Sequence, residues 1–299
     1  MGAIISAGSL FTPELTNEMF NLVRGKSSLA RLSEQRPISF SGDKVWTFTM
    51  DSEVALVAEN GAKSNGGGAV AQKVIQPVKI EYGLRVSDEF KYASEEIRLE
   101  YLRTFMEGFA RKAARGLDIM AMHGVNPRTG SSASILSTNN FDSIVTNEVD
   151  KTSNADTDVT SAIALVEAAE HEVTGIAMAP AFRTSLASLK KGTASNEALF
   201  PELAWGASPS TINGLPADVN STVSFNSNDD LAIVGNFRDY FKWGYARDVA
   251  VEVIEYGNPD NDADLGDLKG HNQVYLRGEA YIGWGILVPA AFARIGDFQ

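Results

Sequence analysis

Cysteine is absent from this 299-residue chain, and only three of its residues are histidines. Without cysteine there can be no disulfide bonds, thiolate metal ligands or cysteine nucleophiles. No run of about 18 apolar residues occurs, and no basic segment precedes the short apolar stretch at the start, so we expect neither a membrane span nor a secretory signal. Stability without disulfides requires another source, and association between copies of the chain is one.

Positive charge is also scarce: 26 Lys and Arg stand against 38 Asp and Glu, which gives a formal net charge of −12. Tight binding of nucleic acid needs clustered basic side chains that face phosphates, so we do not expect an acidic chain to hold DNA in this way. Hydrophobic residues make up 44% of the chain, enough to bury the core of one large domain or two ordinary ones. The composition predicts a folded protein.

Two glycine-lysine stretches resemble parts of a phosphate-binding loop but lack its spacing. That loop needs a glycine five positions before the glycine of GK[ST], between a strand and a helix. The stretch GKS at 25–27 has Phe20 at that position, and in GAKS at 61–64 an alanine, Ala62, separates glycine from lysine. We therefore predict exposed loops at both places and no nucleotide cofactor.

The three histidines, His123, His171 and His271, do not form a zinc motif. No two of them stand four residues apart on one helical face, which is the spacing that HExxH sites use, and there is no cysteine to complete a site. His123 falls at a predicted helix end, His171 within a predicted helix and His271 in an acidic loop. The sequence predicts no metal site from them and no histidine base.

Alternating aspartates in the acidic loop, Asp260, Asp262 and Asp264, resemble the start of a calcium loop. The template requires glycine at its sixth position and glutamate at its twelfth, where this chain has Leu265 and His271. We therefore predict a plain exposed turn. No GxSxG serine motif is present either, so the sequence offers no catalytic residue and no cofactor site.

The first third of the chain predicts a helix followed by a long hairpin. Apolar residues recur at helical spacing over Thr12–Leu32, behind a threonine cap and a first-turn proline. Residues 36–58 then alternate between apolar and polar, and Val74–Val86 alternates again, with three glycines at 66–68 between the two arms. This pattern favours a two-stranded projection that turns in the glycine-rich centre.

A two-stranded hairpin of this length is only marginally stable in water by itself. Its outgoing arm carries Trp46, Phe48, Met50 and Leu56, whose exposure would cost about 25 cal/mol per Å² of apolar surface. A neighbouring copy of the chain is the natural cover. The sequence thus predicts inter-subunit contacts through these four residues.

A long helix follows, which Ser87 or Ser94 can cap at its start and Gly124 can end. Its length of about 30 residues corresponds to roughly 45 Å, more than an ordinary compact domain spans. One continuous apolar stripe runs along it, made by Leu102, Phe105, Met106, Phe109, Ala110, Ala113, Leu117, Met120 and Ala121. Such a helix suits a flat or elongated molecule.

The second half of the chain alternates between helices and strands after a loop-rich crossing at 128–158. It predicts a helix over Val159–Val173, a buried strand over Gly175–Ala179 and a helix over Pro180–Lys191. Further strands are predicted over Leu215–Asn220, Leu231–Gly235, Lys242–Tyr245, Val249–Tyr256, Val274–Tyr281 and Ile286–Arg294. The fold class is α+β.

This order of parts resembles the major capsid protein of tailed bacteriophages, with the fold named after phage Hong Kong 97. The resemblance covers nearly the whole chain and has no single diagnostic motif. The segments that carry it are LFTPELTNEMFNLVRGKSSLARLS, VALVAENGAKS, KIEYGLRVSDEF, DIMAMHGVNPRTG, TGIAMAPAFRTSLASLK, INGLPADVN, LAIVGNFRDYFKWGYARDVAVEVIEY and VYLRGEAYIGWGILVPAAFARI.

The resemblance implies a Hong Kong 97-like capsid fold in five parts. These are an N-terminal arm at 1–35, an extended β-hairpin loop with the start of the peripheral domain at 36–86, and the spine helix of the peripheral domain at 87–127. An α/β axial domain at 128–245 follows, and at 246–299 peripheral-domain strands return to the axial domain.

In function, the resemblance implies a non-enzymatic structural subunit of an icosahedral shell, which forms hexamers and pentamers around double-stranded DNA. Its implied partners are copies of itself, a scaffolding protein, a portal and decoration proteins, with no membrane and no sequence-specific DNA contact. Its implied location is the virion capsid, after assembly in the host cytoplasm. An encapsulin-type compartment shell with a protein cargo is the alternative with the same fold, and a soluble carboxylate-dependent hydrolase is the alternative from another class.

The chain departs from many members of the family at its start. Many relatives carry a scaffolding segment of about a hundred residues ahead of the arm, whereas almost nothing precedes Leu10; we expect a separate scaffolding protein or a trimmed chain. Some relatives crosslink a lysine of the extended loop to an asparagine of a neighbour. Lys63 is the nearest lysine, but no partner asparagine or catalytic glutamate aligns, so this chemistry is not assigned. Glu59 and Lys63 are instead predicted as charges that face a neighbouring subunit.

Overall fold

A computed structural model describes residues 26–50, 52–63, 65–136, 138–192, 195–227 and 230–298 of the chain. The described α-helices are α1 (Ser28–Leu32), α2 (Glu95–His123), α3 (Phe141–Ile144), α4 (Ala155–Ala168), α5 (Pro180–Ser188) and α6 (Phe237–Tyr240). The described strands are β1 (Asp43–Met50), β2 (Gly68–Ile75), β3 (Val78–Ser87), β4 (Glu148–Asp150), β5 (Gly175–Met178), β6 (Thr211–Ile212), β7 (Leu215–Val219), β8 (Asp230–Gly235), β9 (Phe241–Ile254), β10 (Gln273–Ile286) and β11 (Phe292–Gly296).

The strands form three sheets. β1 and β2 make a two-stranded ribbon, β3, β10 and β9 make a three-stranded antiparallel sheet, and the third sheet has the order β4-β11-β8-β5-β7-β6. One hydrophobic core lies between α2 and the three-stranded sheet, where Phe109 packs directly over Gly278 of β10. A second core lies between the six-stranded sheet and helices α4 and α5.

The long helix α2 confirms the sequence prediction at both ends. The Ser94 hydroxyl accepts the Ile97 N–H, and Gly124 ends the helix in the left-handed conformation with φ 64°. The whole predicted apolar stripe, from Leu102 to Ala121, is buried. Within the described residues, no helix combines the length and hydropathy that a membrane crossing requires.

The predicted hairpin is present, but its second arm is shorter than the sequence indicated. β1 and β2 pair antiparallel from Asp43 opposite Ile75 to Met50 opposite Gly68, with the glycine-rich residues at the far end. The prediction of one continuous arm over Val74–Val86 is wrong, because β2 ends at Ile75 and β3 pairs with β10 in another sheet. Pro77 lies between them, and proline has no N–H to continue a ladder.

The prediction of one helix over Thr12–Leu32 is also wrong at its described end. Ser27 has an extended backbone, with φ −110° and ψ 130°, and its side chain accepts the Ala30 N–H, so α1 starts at Ser28. The rest of that predicted helix lies outside the described residues. A helix cannot continue through an extended N-cap residue.

Several element bounds differ in the second half. α4 runs over Ala155–Ala168 instead of Val159–Val173, because the Asn154 side chain caps the helix by accepting the Asp156 N–H. The two strands predicted between Lys242 and Tyr256 are one strand, β9, and the predicted domain boundary between residues 245 and 246 lies within it. The break between the last two predicted strands lies further along the chain than expected, because β10 continues to Ile286 and β11 starts beyond Pro289.

Candidate assembly surface

One face of the β1–β2 ribbon carries large apolar side chains that nothing in the described chain covers. Because side chains alternate along a strand and pair across it, Trp46, Phe48 and Met50 share a face with Val70 and Val74 of β2. Trp46 and Phe48 are each 64% exposed and Met50 is 73% exposed. We call these five side chains the apolar face of the ribbon.

The opposite face of the ribbon is built from smaller or more polar residues. Val45 and Thr47 of β1 lie there with Ala71 and Lys73 of β2, and the Thr47 hydroxyl donates to the Ala71 carbonyl at 3.3 Å. The ribbon is therefore amphipathic across its two faces. Contiguous exposed apolar surface rimmed by polar residues is typical of a site where another protein binds.

The residues just before β1, at the base of the ribbon, are hydrogen-bonded to β9 of the three-stranded sheet. Arg36 N–H donates to the Trp243 carbonyl at 2.9 Å, and Ile38 N–H donates to the Tyr245 carbonyl at 3.3 Å. A Cβ at Gly244 of β9 would lie 1.6 Å from the Arg36 carbonyl oxygen, so only glycine allows this approach. The backbone thereby fixes where the ribbon leaves the sheet.

The residues between the two ribbon strands contain a tight turn. Gly61 N–H donates to the Ala58 carbonyl at 2.8 Å, and Asn60 adopts the left-handed conformation with φ 64°. Glu59 lies within this turn and Lys63 follows it, and both are exposed; Leu56 has no cover at all, with 103% exposure. All six residues predicted as contacts, Trp46, Phe48, Met50, Leu56, Glu59 and Lys63, are thus free to meet another molecule, and the contacts themselves stay a prediction.

An open apolar groove of about 530 Å³ lies between α2 and β3. Tyr82 and Leu84 line it from the strand, and Ile97, Tyr101 and Phe105 line it from the helix. Four of these side chains are exposed, whereas Phe105 is buried beneath them. The groove is a second apolar surface on the same subunit.

The sequence reasoning missed the buried carboxylate of Asp118 on α2. It accepts hydrogen bonds from the Ser27 hydroxyl at 2.5 Å, the Ser28 N–H at 2.9 Å and the Leu29 N–H at 3.2 Å, so it holds the first turn of α1. The Asn220 and Thr222 side chains donate to Oδ2, the oxygen that also accepts the Ser28 N–H. Burial raises the pKa of Asp118 to about 6, although these donors oppose the shift. Asp118 therefore anchors the start of the described chain to the long helix.

The motifs that the sequence set aside have structural roles. Ser27 of the first glycine-lysine stretch caps α1 and binds Asp118, an acidic partner that would repel phosphate. His171 lies beyond the end of α4, contrary to its predicted place within a helix, and packs edge-on against Tyr240 at 5.1 Å.

The alternating aspartates are used within their own loop and by β3. Asp260 accepts two hydrogen bonds from the Arg85 guanidinium, at 2.5 and 2.8 Å, which lowers the pKa of Asp260. Asp262 accepts the backbone N–H groups of Asp264 and Leu265. Because these carboxylates already have donors from the protein, the loop is a hydrogen-bonded turn.

Comparison with known proteins agrees with the architecture. The model of the phage capsid family matches residues 7–296. A chain of Mycobacterium phage Ogopogo superposes with a TM-score of 0.75 at 29% identity, covering 91% of this chain and 92% of its own. A chain of Gordonia phage Cozz gives a TM-score of 0.72 at 25% identity, covering 90% and 86%. The fold also matches the capsid of an empty GTA particle, with a TM-score of 0.61 at 16% identity over 91% and 89% of the chains.

None of the curated proteins compared with this chain matches it. The family model nevertheless spans almost the full length, and the solved chains superpose over nine-tenths or more of this chain. The fold is the Hong Kong 97-like capsid fold. This chain therefore belongs to the phage capsid family and is a structural subunit of a virion capsid.

Proposed function

We propose that the subunit assembles with copies of itself into the hexamers and pentamers of an icosahedral shell through its ribbon. The apolar face of the ribbon carries this proposal, because it exposes Trp46, Phe48 and Met50 on a strand whose other face carries smaller or more polar residues. Fully burying a side chain of this size stabilises a complex by about 1.5–3 kcal/mol. A second copy that covers the face would gain this stabilisation at every subunit contact.

The groove between α2 and β3 is the surface that we propose the ribbon of the next copy covers. It is apolar, and its rim carries Glu100 and Lys112, which offer one charge of each sign. Leu56, Glu59 and Lys63 near the ribbon tip are proposed to extend the same contact. Each subunit then donates one ribbon and receives one, which is the head-to-tail arrangement that closes rings.

We propose that the domains implied by the family resemblance correspond to the sheets of the structure. The three-stranded sheet with α2 forms the peripheral domain, and the six-stranded sheet with α4 and α5 forms the axial domain near the capsomer centre. We propose that the shell encloses double-stranded DNA without sequence-specific contacts, since the net charge of −12 does not favour binding to phosphates. A scaffolding protein, a portal and decoration proteins are proposed partners, with assembly in the host cytoplasm and no enzymatic activity.

The experiment that tests the ribbon contact replaces two residues of the apolar face, as Trp46→Ser with Phe48→Ser. We expect folded subunits that no longer form closed particles in negative-stain images and light scattering. The matched control is Thr47→Ser, on the opposite face of the same strand, which should assemble normally. Particles of normal size and yield from the double variant would contradict the proposal.

A crosslink identifies the surface that receives the ribbon. Because the chain has no cysteine, Trp46→Cys and Tyr101→Cys can be introduced in separate chains that are then co-assembled. A short bismaleimide should produce a dimer band only when both variants are present in the particles. Particles of mixed composition that give no such dimer would rule out the groove as the receiving surface.

A further inference from the structure

A cluster of charged side chains lies at the junction between the long helix and the six-stranded sheet. His123 is the last residue of α2, Asp142 lies in α3, Asp230 begins β8 and Arg294 lies in β11. His123 Nδ1 is 3.0 Å from Asp142 Oδ2, and Arg294 Nη1 is 3.1 Å from an oxygen of Asp142 and 3.1 Å from an oxygen of Asp230. We call these four residues the junction cluster. It ties together four elements that are distant in sequence.

The hydrogen bonds of the cluster require bound protons. His123 Nε2 lies 2.9 Å from the Thr222 carbonyl oxygen, which can only accept, so Nε2 carries a hydrogen. The contact between Nδ1 and Asp142 then needs a second proton, either on the imidazole ring or on the carboxyl. One carboxylate oxygen of Asp142 and one of Asp230 lie within 4.8 Å of each other, and two ionised carboxylates this close repel each other, so a proton on one of them is favoured.

Burial makes these protons hard to remove. Asp230 is fully buried, and His123 and Arg294 are nearly so. Burial, together with the hydrogen bond and charge of Asp142, raises the pKa of Asp230 to about 8 against the opposing charges of Arg294 and His123. Burial alone would lower the pKa of His123, but its hydrogen bond to Asp142 and the charge of that carboxylate raise it instead.

The described groups around the cluster complete its charge balance. Glu148 of β4 pairs with the other side of the Arg294 guanidinium, and the Phe298 ring lies 4.9 Å below it. One guanidinium thus faces three carboxyl groups, and charge is balanced when Asp230 and His123 both hold their protons. Because the guanidinium already bridges Asp142 and Asp230, the place of a cation between these carboxylates is taken by Arg294.

We propose that the junction cluster is a proton-operated latch, which fastens the end of α2 to β8 and β11 when protonated and loosens that junction when alkaline pH removes its protons. This device acts within one subunit and so goes beyond the contact between subunits. Its loosened state places the buried carboxylate of Asp230 and the half-buried carboxylate of Asp142 against a single guanidinium. The elements it would release first are α3 and the loops on either side of it.

The direction in which pH changes the stability follows from the raised pKa values of Asp230 and His123. A group whose pKa is higher in the folded than in the unfolded chain stabilises the fold at low pH, and this stabilisation is lost as pH rises through the folded value. For Asp230 the loss begins above the ordinary carboxyl pKa of about 3.9 and is complete above about 8. His123 has the same sign, so the two effects add.

The test compares thermal unfolding of the wild-type protein with Asp230→Asn at pH 6 and pH 9.5. The amide mimics the protonated carboxyl, since it can donate to Asp142 and accept from Arg294. We expect the wild-type Tm to fall by about 5 °C across this range and the Tm of Asp230→Asn to fall by less than about half as much. Asp156→Asn, at a half-buried position in the first turn of α4 outside the junction cluster, is the control and should behave like the wild type.

Hydrogen–deuterium exchange of the wild-type protein provides a measurement that does not depend on the variant folding. After correction for intrinsic rates, amides at 141–150 should exchange faster at pH 9.5 than at pH 6, while those at 102–117 in the middle of α2 should not. Equal pH dependence in wild type and Asp230→Asn, or uniform exchange along both segments, would overturn the latch. A Tm that rises with added Zn²⁺ in wild type alone would overturn it in favour of a cation site.

Discussion

The ribbon and the junction cluster use their side chains in opposite ways. The ribbon exposes Trp46 and Phe48 and leaves one whole face without a partner in the described chain, whereas the cluster buries Asp230 and Arg294 and supplies each with a partner. The cluster pairs its charges within the subunit, whereas the aromatic surface of the ribbon has no cover there, which supports the proposed contact with another copy. The variants below test which of the two, subunit stability or assembly, each region controls.

The largest effect is expected at the base of the ribbon. Gly244→Ala would place a methyl group 1.6 Å from the Arg36 carbonyl oxygen, so the backbone at 35–38 would have to leave β9. We expect the free energy of unfolding to fall by about 3 kcal/mol, measured by chemical denaturation, and particle assembly to fail as well. Gly270→Ala is the control, because a Cβ there meets nothing within 4 Å. If both variants retained wild-type stability, the close approach at Gly244 would not hold the ribbon.

A smaller loss of stability is expected at Asp118, the buried side chain that binds the first turn of α1. Asp118→Asn keeps the shape of the side chain but replaces two acceptor oxygens by one, although five donors point at this group. Leaving buried donors unsatisfied costs about 1–3 kcal/mol each, partly relieved by local movement, so unfolding at pH 7 should be easier by about 2 kcal/mol. Glu107→Gln, on an exposed face of the same helix, is the control and should change stability by less than about 0.5 kcal/mol.

The same variant has a pH signature. Because burial raises the pKa of Asp118 to about 6, this carboxyl contributes stability at acidic pH that the protein loses as pH rises through 6. The Asn variant has no proton to lose, so its stability curve between pH 4.5 and 7 should be flatter than that of the wild type. Parallel curves over this range, measured by urea titration, would show that Asp118 is already ionised at pH 4.5.

Local chemistry explains which features the sequence predicted. α2 could be bounded from sequence because Ser94, Gly124 and the apolar stripe all act within a few residues. The ribbon followed from alternation, but alternation passes unbroken through Pro77, so the change of sheet there was not visible. α4 starts at Ala155 because the Asn154 side chain caps it there, ahead of Val159, where the apolar pattern predicted its start.

The missed sites depend on contacts between distant parts of the chain. Asp118 meets Ser27, which is 91 residues away, and Arg294 meets Asp142, which is 152 residues away. No spacing rule connects such positions, although a lone aspartate inside the apolar stretch of α2 was a signal that a buried partner had to exist. Only the folded topology identifies that partner.

The smallest effect is expected at the ribbon tip, where charge alone changes. Lys63 is exposed and forms no ion pair within the described residues, so Lys63→Glu should leave subunit stability unchanged within about 0.5 kcal/mol. If Lys63 faces an acidic group of a neighbour, assembly followed by light scattering should slow at low salt and recover near 0.5 M salt, because screening weakens surface charge pairs. Lys190→Glu changes the net charge equally at a site away from the ribbon, so it separates a local contact from a general repulsion between acidic subunits. Equal slowing in both variants would mean that Lys63 contributes only to overall charge, and the ribbon would then bind through its apolar face alone.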